Sequence, residues 1–337
     1  MSTKKSKILP IDEAGIKGAQ IEEYQNDPSQ FTLLSFQEDT DIKIISKSSE
    51  ELVFDITGIE PPVANALRRI LIGEIPTMAI ETVIIHQNTS IIPDEVLSHR
   101  LGLIPIFANA DDFQYKREND EFNENNSLTF KLQVKCYKDK NGEIVNGTIH
   151  SDKLIFVPKG KQAEKFVDDE AIRPVYNDIL INKLRPGQEI DIECICVKGI
   201  GRTHAKWSPV CTAYYRLLSD IQFTKEFTGD EALELKSLCP TGVFDVKNNK
   251  LYVKDSRKCT TCRECIRNEK FKQFVQLGKV SDHYEFHIES VGIYEAEELF
   301  YRALRVLKEK VEMWTGILLD KAASSERKLS TCNQINS

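Results

Sequence analysis

Four cysteines in one short stretch carry most of the chemistry this sequence offers. Three stand two residues apart in KCTTCRECIR, at Cys259, Cys262 and Cys265, and a fourth, Cys239, precedes Pro240 in LCPTG. A C-x2-C-x2-C loop wraps one corner of a cubane iron–sulfur cluster, and a cysteine before proline commonly supplies the remote fourth ligand. Zinc more often takes two separated C-x2-C pairs, each gripping one edge of a tetrahedron. Here the division is three and one. The spacing therefore points to a 4Fe–4S cluster, with zinc, or no metal at all, as the alternatives.

The other cysteines read differently. Cys194 and Cys196 fall on the same side of a strand as Ile190 and Ile192, and Cys136 ends another such face. Free cysteine behaves as a small hydrophobe, so these three are expected in the core. Cys211 and Cys332 have no patterned partner. Nine cysteines in a chain without a secretory leader belong to a reducing compartment rather than to a disulfide framework. The opening MSTKKSKILPIDEAG never develops an apolar core, and no apolar run approaches the roughly 18 residues of a membrane helix, so an intracellular protein is expected.

Nothing else in the sequence suggests catalysis. The six histidines, His86, His99, His150, His204, His283 and His287, form no H-E-x-x-H, and GIGRTH at 199–204 lacks the rest of a phosphate-binding fingerprint. No active-site residues are expected. A formal charge of −7 weighs against a surface built to grip nucleic acid.

The elements that must position the cysteines can be read from periodicity. ELVFDITGI (51–59) alternates as a strand. Pro61 and Pro62 suit a helix start, and Val63, Ala66, Leu67, Ile70 and Leu71 share one helical face that ends near Gly73 and Pro76. AIETVIIHQNTS returns to a strand, and DEVLSHRLGLIPI is a short helix with an extended exit. Alternation in SLTFKLQVKCYK and EIDIECICVKGIG makes 105–224 a β-rich insert. The cysteines occupy 225–275. HYEFHIES is then a strand, followed by a helix from about Glu295 to Trp314. Its apolar stripe is Ala296, Leu299, Phe300, Ala303, Leu304, Leu307, Val311 and Trp314. Residues 1–35 and 319–337 read as polar tails, and no repeat of 20–50 residues is present.

Several of these stretches together resemble one family. ANALRRILIGEIPTMAIE (64–81), NTSIIPDEVLSHRLGLIPI (88–106), LRPGQEI (184–190) and HAKWSPV (204–210) resemble the alpha-like subunits of RNA polymerase, which include bacterial alpha and its archaeal counterpart. The likeness spans about residues 42–316. HAKWSPVCTAYYRLL (204–218) and YVKDSRKC (252–259) most resemble the larger alpha-like subunit shared by eukaryotic RNA polymerases I and III. The polymerase II counterpart usually carries a zinc-binding group of cysteines early in the insert, and none lies between Ile104 and Leu128.

The resemblance implies an α+β architecture with a discontinuous dimerisation domain (36–104 and 276–318), the β-rich insert (105–224) and a small ferredoxin-like domain (225–275). It implies a non-catalytic assembly subunit for the synthesis of ribosomal and small structural RNAs. The subunit would pair with a smaller alpha-like partner and carry the second-largest and largest subunits, with little nucleic-acid contact, in the nucleus and nucleolus. Val63, Ala66, Leu67, Ile70, Leu71, Phe300, Leu304 and Leu307 are the expected dimer seam. Arg68 and Arg69 of ANALRR are expected to contact the large subunits. The archaeal members of the family often have a ferredoxin-like domain of this cysteine spacing, so Cys239, Cys259, Cys262 and Cys265 would hold that small domain folded. The alternatives are the equivalent subunit of RNA polymerase II and a ferredoxin-class electron carrier. The paired amphipathic helices speak against a free electron carrier, which has no need of them.

Overall fold

The computed structural model describes residues 8–12, 16, 32–166 and 172–335, with side chains as far as Lys321. The strands that matter are β1 (Ile8–Ile11), β2 (Asp41–Lys47), β3 (Glu51–Thr57), β4 (Pro76–Asn88), β5 (Ser127–Lys135), β6 (Ile155–Phe156), β7 (Glu189–Ile200), β8 (Val210–Phe223), β9 (Phe244–Lys247), β10 (Lys250–Val253) and β11 (Val275–Ser290). The helices are α1 (Leu33–Asp39), α2 (Pro61–Gly73), α3 (Asp94–Gly102), α4 (Gly229–Leu238), α5 (Glu264–Arg267) and α6 (Ala296–Ile335). The chain divides into two compact units. One takes in 1–46, 53–65 and 214–287, and the other 47–52, 66–213 and 288–337.

The first unit is built on a five-stranded sheet ordered β1-β11-β3-β2, with β8 also paired to β11. Its neighbours β3 and β11 come from distant parts of the sequence. Part of the expected N-terminal tail is therefore a strand, since Ile8–Ile11 runs antiparallel to β11 from Val280 to Leu277. The rest of that expected tail, apart from Asp12, Ile16 and the start of α1, lies outside the described residues. In β3, Val53, Phe54, Asp55 and Ile56 are all buried, so both faces are covered and the apolar run is nearly continuous. Phe54 stacks on Phe286 of β11 at 5.4 Å between ring centres. Beyond β3 the chain turns at Gly58, with φ of 79°. A Cβ there would stand 1.9 Å from the Asp39 carbonyl oxygen, so only glycine fits.

The cysteine segment folds in the same unit. The β9–β10 hairpin turns through Asn248 and Asn249, both left-handed at φ of 52° and 62°, as a tight two-residue hairpin requires. The hairpin packs with α4 and α5 around Phe227, Leu235, Phe244, Leu251, Ile266 and Phe271.

The second unit contains a four-stranded antiparallel sheet ordered β6-β5-β7-β4. Cys194 of β7 lies between Val83 of β4 and Phe130 of β5. Cys136, Cys194 and Cys196 are fully buried in one apolar core with Met78, Leu97 and Ile192, the place expected for them. Burial pushes the Cys194 thiol up to about 12. These thiols are packing groups and not nucleophiles.

The helix α6 is longer than its apolar stripe suggests. It starts at Ala296 and continues to Ile335, through most of the expected polar tail. Beyond Gly316 the sequence contains neither proline nor glycine, so nothing local stops it. No helix among the described residues is long and apolar enough to cross a membrane.

Candidate functional site

All four predicted cysteines line one small pocket, together with Ile221, Val243, Phe244 and Leu277. Cys239 caps the C-terminus of α4, Cys259 follows a short turn after β10, and Cys265 lies in α5. Cys262 is exposed and Cys265 buried, with Cys239 and Cys259 between. The loop curls tightly, because Thr261 and Arg263, on either side of Cys262, both have positive φ, 56° and 69°. A β-branched residue rarely adopts that conformation, and such strain concentrates at ligand-holding loops.

The sulfurs sense one another. Burial first, and then the neighbouring Cys259, Cys262 and Cys239, push the Cys265 thiol up to about 12. At Cys239 burial also acts upward. It is outweighed by hydrogen bonds from the Val243 N–H, at 3.4 Å to the sulfur, and from the Thr241 side chain, leaving this thiol below its ordinary value. A donor set of sulfur alone suits zinc or an iron–sulfur cluster. Among the described residues, no three His, Cys, Asp or Glu side chains are gathered closely enough to grip a single ion.

Behind the loop lies a charged network that sequence patterning missed. Arg257, two residues before Cys259, donates to Asp55 of β3 at 2.8 Å through Nη1 and also through Nη2. It donates as well to Glu285 of β11 at 2.8 Å. Arg216 of β8 reaches the other oxygen of Glu285. His283 lies 3.0 Å from Asp55, and His287 lies 2.9 Å from Glu285. Burial alone would raise both carboxyls. Hydrogen bonds from Arg257, with His283 close by, hold Asp55 below the usual carboxylate range, and those from His287 and Arg216 do so for Glu285. The clue in the sequence was an acid inside each of two apolar strands, LVFDIT and YEFHI, since a buried charge requires partners.

The predicted seam residues separate into two groups. Leu67, Ile70 and Leu71 are only 3%, 2% and 0% exposed, so three members of the expected seam are covered by this chain's own atoms and offer no surface. Val63 and Ala66 are half-buried. The physical reason is that a helical stripe records apolarity but not what covers it. The α6 stripe likewise divides. Ala296, Leu299 and Ala303 are fully buried, whereas Phe300 and Leu307 are half-buried and Leu304, Val311, Trp314 and Leu318 exposed. The outer positions follow one another at four, three, four, three and four residues, the spacing of a coiled-coil seam. Arg302 secures the inner side. It lies over the Tyr294 ring at 3.9 Å and pairs with Asp111 and Glu298 at 2.9 and 2.8 Å. Of the two signature arginines, Arg69 is exposed and Arg68 half-buried.

The HAKWSPV stretch forms a clasp where α2 leads into β4. Trp207 donates from Nε1 to the Val197 carbonyl at 3.1 Å and accepts at its own carbonyl from the Thr77 hydroxyl at 2.8 Å. The Arg202 N–H donates to the Gly73 carbonyl at 2.8 Å. Lys206 donates to the Ile80 carbonyl, pairs with Glu81 and lies over the indole. Gly199 lets the ring lie flat, because a Cβ there would come within 2.3 Å of it.

Comparison with known proteins gives a consistent answer. Residues 53–311 match the RNA polymerase Rpb3/Rpb11 dimerisation domain. The chain is 49% identical to DNA-directed RNA polymerases I and III subunit rpac1 of Dictyostelium discoideum, covering 84% of this chain and 83% of that one. It is 43% identical to the Homo sapiens subunit of the same name, covering 82% and 83%. Against DNA-directed RNA polymerase II subunit rpb3 of Dictyostelium discoideum the identity is 31%, covering 80% and 92%.

Proposed function

Because this chain belongs to the RNA polymerase Rpb3/Rpb11 dimerisation-domain family, we propose that it is the larger alpha-like subunit common to RNA polymerases I and III. The observation that carries this reading is the gap between 49% and 31% identity to the two Dictyostelium subunits over similar spans. The subunit is an assembly component with no chemistry of its own, and it acts in the nucleus. It pairs with a smaller alpha-like partner through the outer stripe of α6, from Phe300 to Leu318, and through the half-buried Ala66 of α2. Arg69, with Arg68, contacts the large subunits, for which the pair is the platform. Recruitment to polymerase I places it in the nucleolus.

The four cysteines hold a 4Fe–4S cluster. When bound, the cluster supplies iron–thiolate bonds that tie the end of α4, the Cys259–Cys262 loop and α5 into one body. The residues prepare the site by curling the loop at Thr261 and Arg263 and by directing the Val243 N–H at the Cys239 sulfur. Native purification through a tag on this chain tests the assembly role. Recovery of the large subunits of polymerases I and III supports it, and recovery of polymerase II alone overturns it. Iron, sulfide and zinc content of the oxygen-free preparation tests the cluster. About four irons and four sulfides per chain support it, and stoichiometric zinc or no metal overturns it.

A further inference from the structure

The backbone enters the cysteine site through one short turn, Ser256–Lys258, capped by the Asp255 carboxylate accepting from the Arg257 N–H at 3.0 Å. The Arg257 side chain, though 30% exposed, turns inward to Asp55 and Glu285. Those acids stand in β3 and β11, neighbours in the sheet, and are 4% and 3% exposed. One cation therefore joins three backbone segments, and one of them begins the metal loop. A second tether reaches the same point. The Ser219 hydroxyl of β8 donates to the Cys259 carbonyl at 3.5 Å, and Lys279 of β11 donates to that hydroxyl at 2.7 Å.

We propose that Arg257 is a positioning residue for the four-cysteine site. It fixes the Cys259 end of the loop to the sheet, and through it the filled site and the sheet stabilise each other. The inference rests on the four cysteines holding a metal. Two buried carboxylates on adjacent strands leave the guanidinium little freedom, so the loop is anchored before any metal arrives, and pre-anchored ligands bind more tightly. The coupling is reciprocal, because whatever the sheet contributes to metal affinity, the metal returns to the sheet. Lysine cannot replace arginine here, since one ammonium does not span two carboxylates in fixed fork geometry.

The test uses the full chain co-purified with its smaller alpha-like partner, stripped of metal without oxygen and then reconstituted with ferrous iron and sulfide. Amide exchange is followed in residues 53–56 and 283–287. In the unsubstituted protein, the reconstituted site slows exchange in both strands by about tenfold or more. In Arg257→Lys that protection is lost and iron is released to a chelator faster by a similar factor. Arg257→Ala behaves likewise, and the lysine variant, which keeps a cation in place, covers the case in which alanine fails to fold. Lys236→Ala, which breaks a surface pair with Asp245 in the same unit, leaves both responses intact. Unchanged iron release and unchanged strand protection in Arg257→Lys overturn the proposal. Iron and sulfide uptake without strand protection in the unsubstituted protein overturns this inference alone, whereas no uptake overturns the cluster assignment and the inference with it.

Discussion

Glu285 and Asp55 show how much one buried charge can demand. Glu285 accepts from Arg216 and Arg257 and lies against His287, while being 3% exposed. Glu285→Ala leaves two partly exposed guanidinium groups short of an acceptor, though Arg257 keeps Asp55, and losing such charged hydrogen bonds costs about 1.5–3 kcal/mol. Urea unfolding should show that loss. Both carboxyls titrate lower in the folded chain than in the unfolded one, where the usual range is near pH 4. Their contribution is therefore complete above that range and disappears as pH falls through the lower folded values. Thermal melts should drop below about pH 4, and Asp55→Asn should flatten the drop, beginning from a less stable protein. Gly199 makes a different demand. Gly199→Ala drives a methyl into the Trp207 ring, and such overpacking costs about 1–3 kcal/mol, measurable as a lowered melting temperature.

At the scale of elements, α6 carries two apolar stripes, one buried in this chain and one exposed as the proposed seam. Leu299→Ala opens a cavity in the chain's own core and should cost about 2–5 kcal/mol in the subunit itself. Leu304→Asp with Val311→Asp should leave the circular dichroism and melting of the subunit unchanged and abolish capture of the smaller partner. Equal loss of folding in both variants would contradict this division. The sequence displayed the helix but merged its stripes, because Leu299, Phe300, Ala303 and Leu304 are all apolar and periodicity does not say which side meets a partner. The strands β3, β4, β5, β7 and β11 were legible from alternation. β1 was not, since four residues beside a polar tail have no pattern of their own. The cysteines were legible as a set because spacing survives into geometry. Arg257 was not, because its partners stand 202 and 28 residues away.

For the whole molecule, the exposed apolar run on α6, with Trp314 56%, Leu318 63% and Leu319 65% exposed, is more than a solitary subunit keeps in water without consequence. Expressed alone, the chain should self-associate in sedimentation experiments. Co-expressed with its partner, it should be monodisperse and melt at a temperature that rises with complex concentration. With a formal charge of −7, this subunit by itself should show negligible DNA affinity at physiological salt.

The alternating four-and-three spacing of the outer stripe also makes α6 a counting device. Each residue turns a helix by about 100°. One amino acid inserted between Ala303 and Leu304 would leave every side chain from Leu304 to Leu318 chemically intact, yet swing them all about a quarter-turn away from Phe300. For a partner seated on the proposed seam, composition along this helix can therefore drift while its length between Phe300 and Leu318 cannot. A deletion of seven residues would be borne better than a deletion of one.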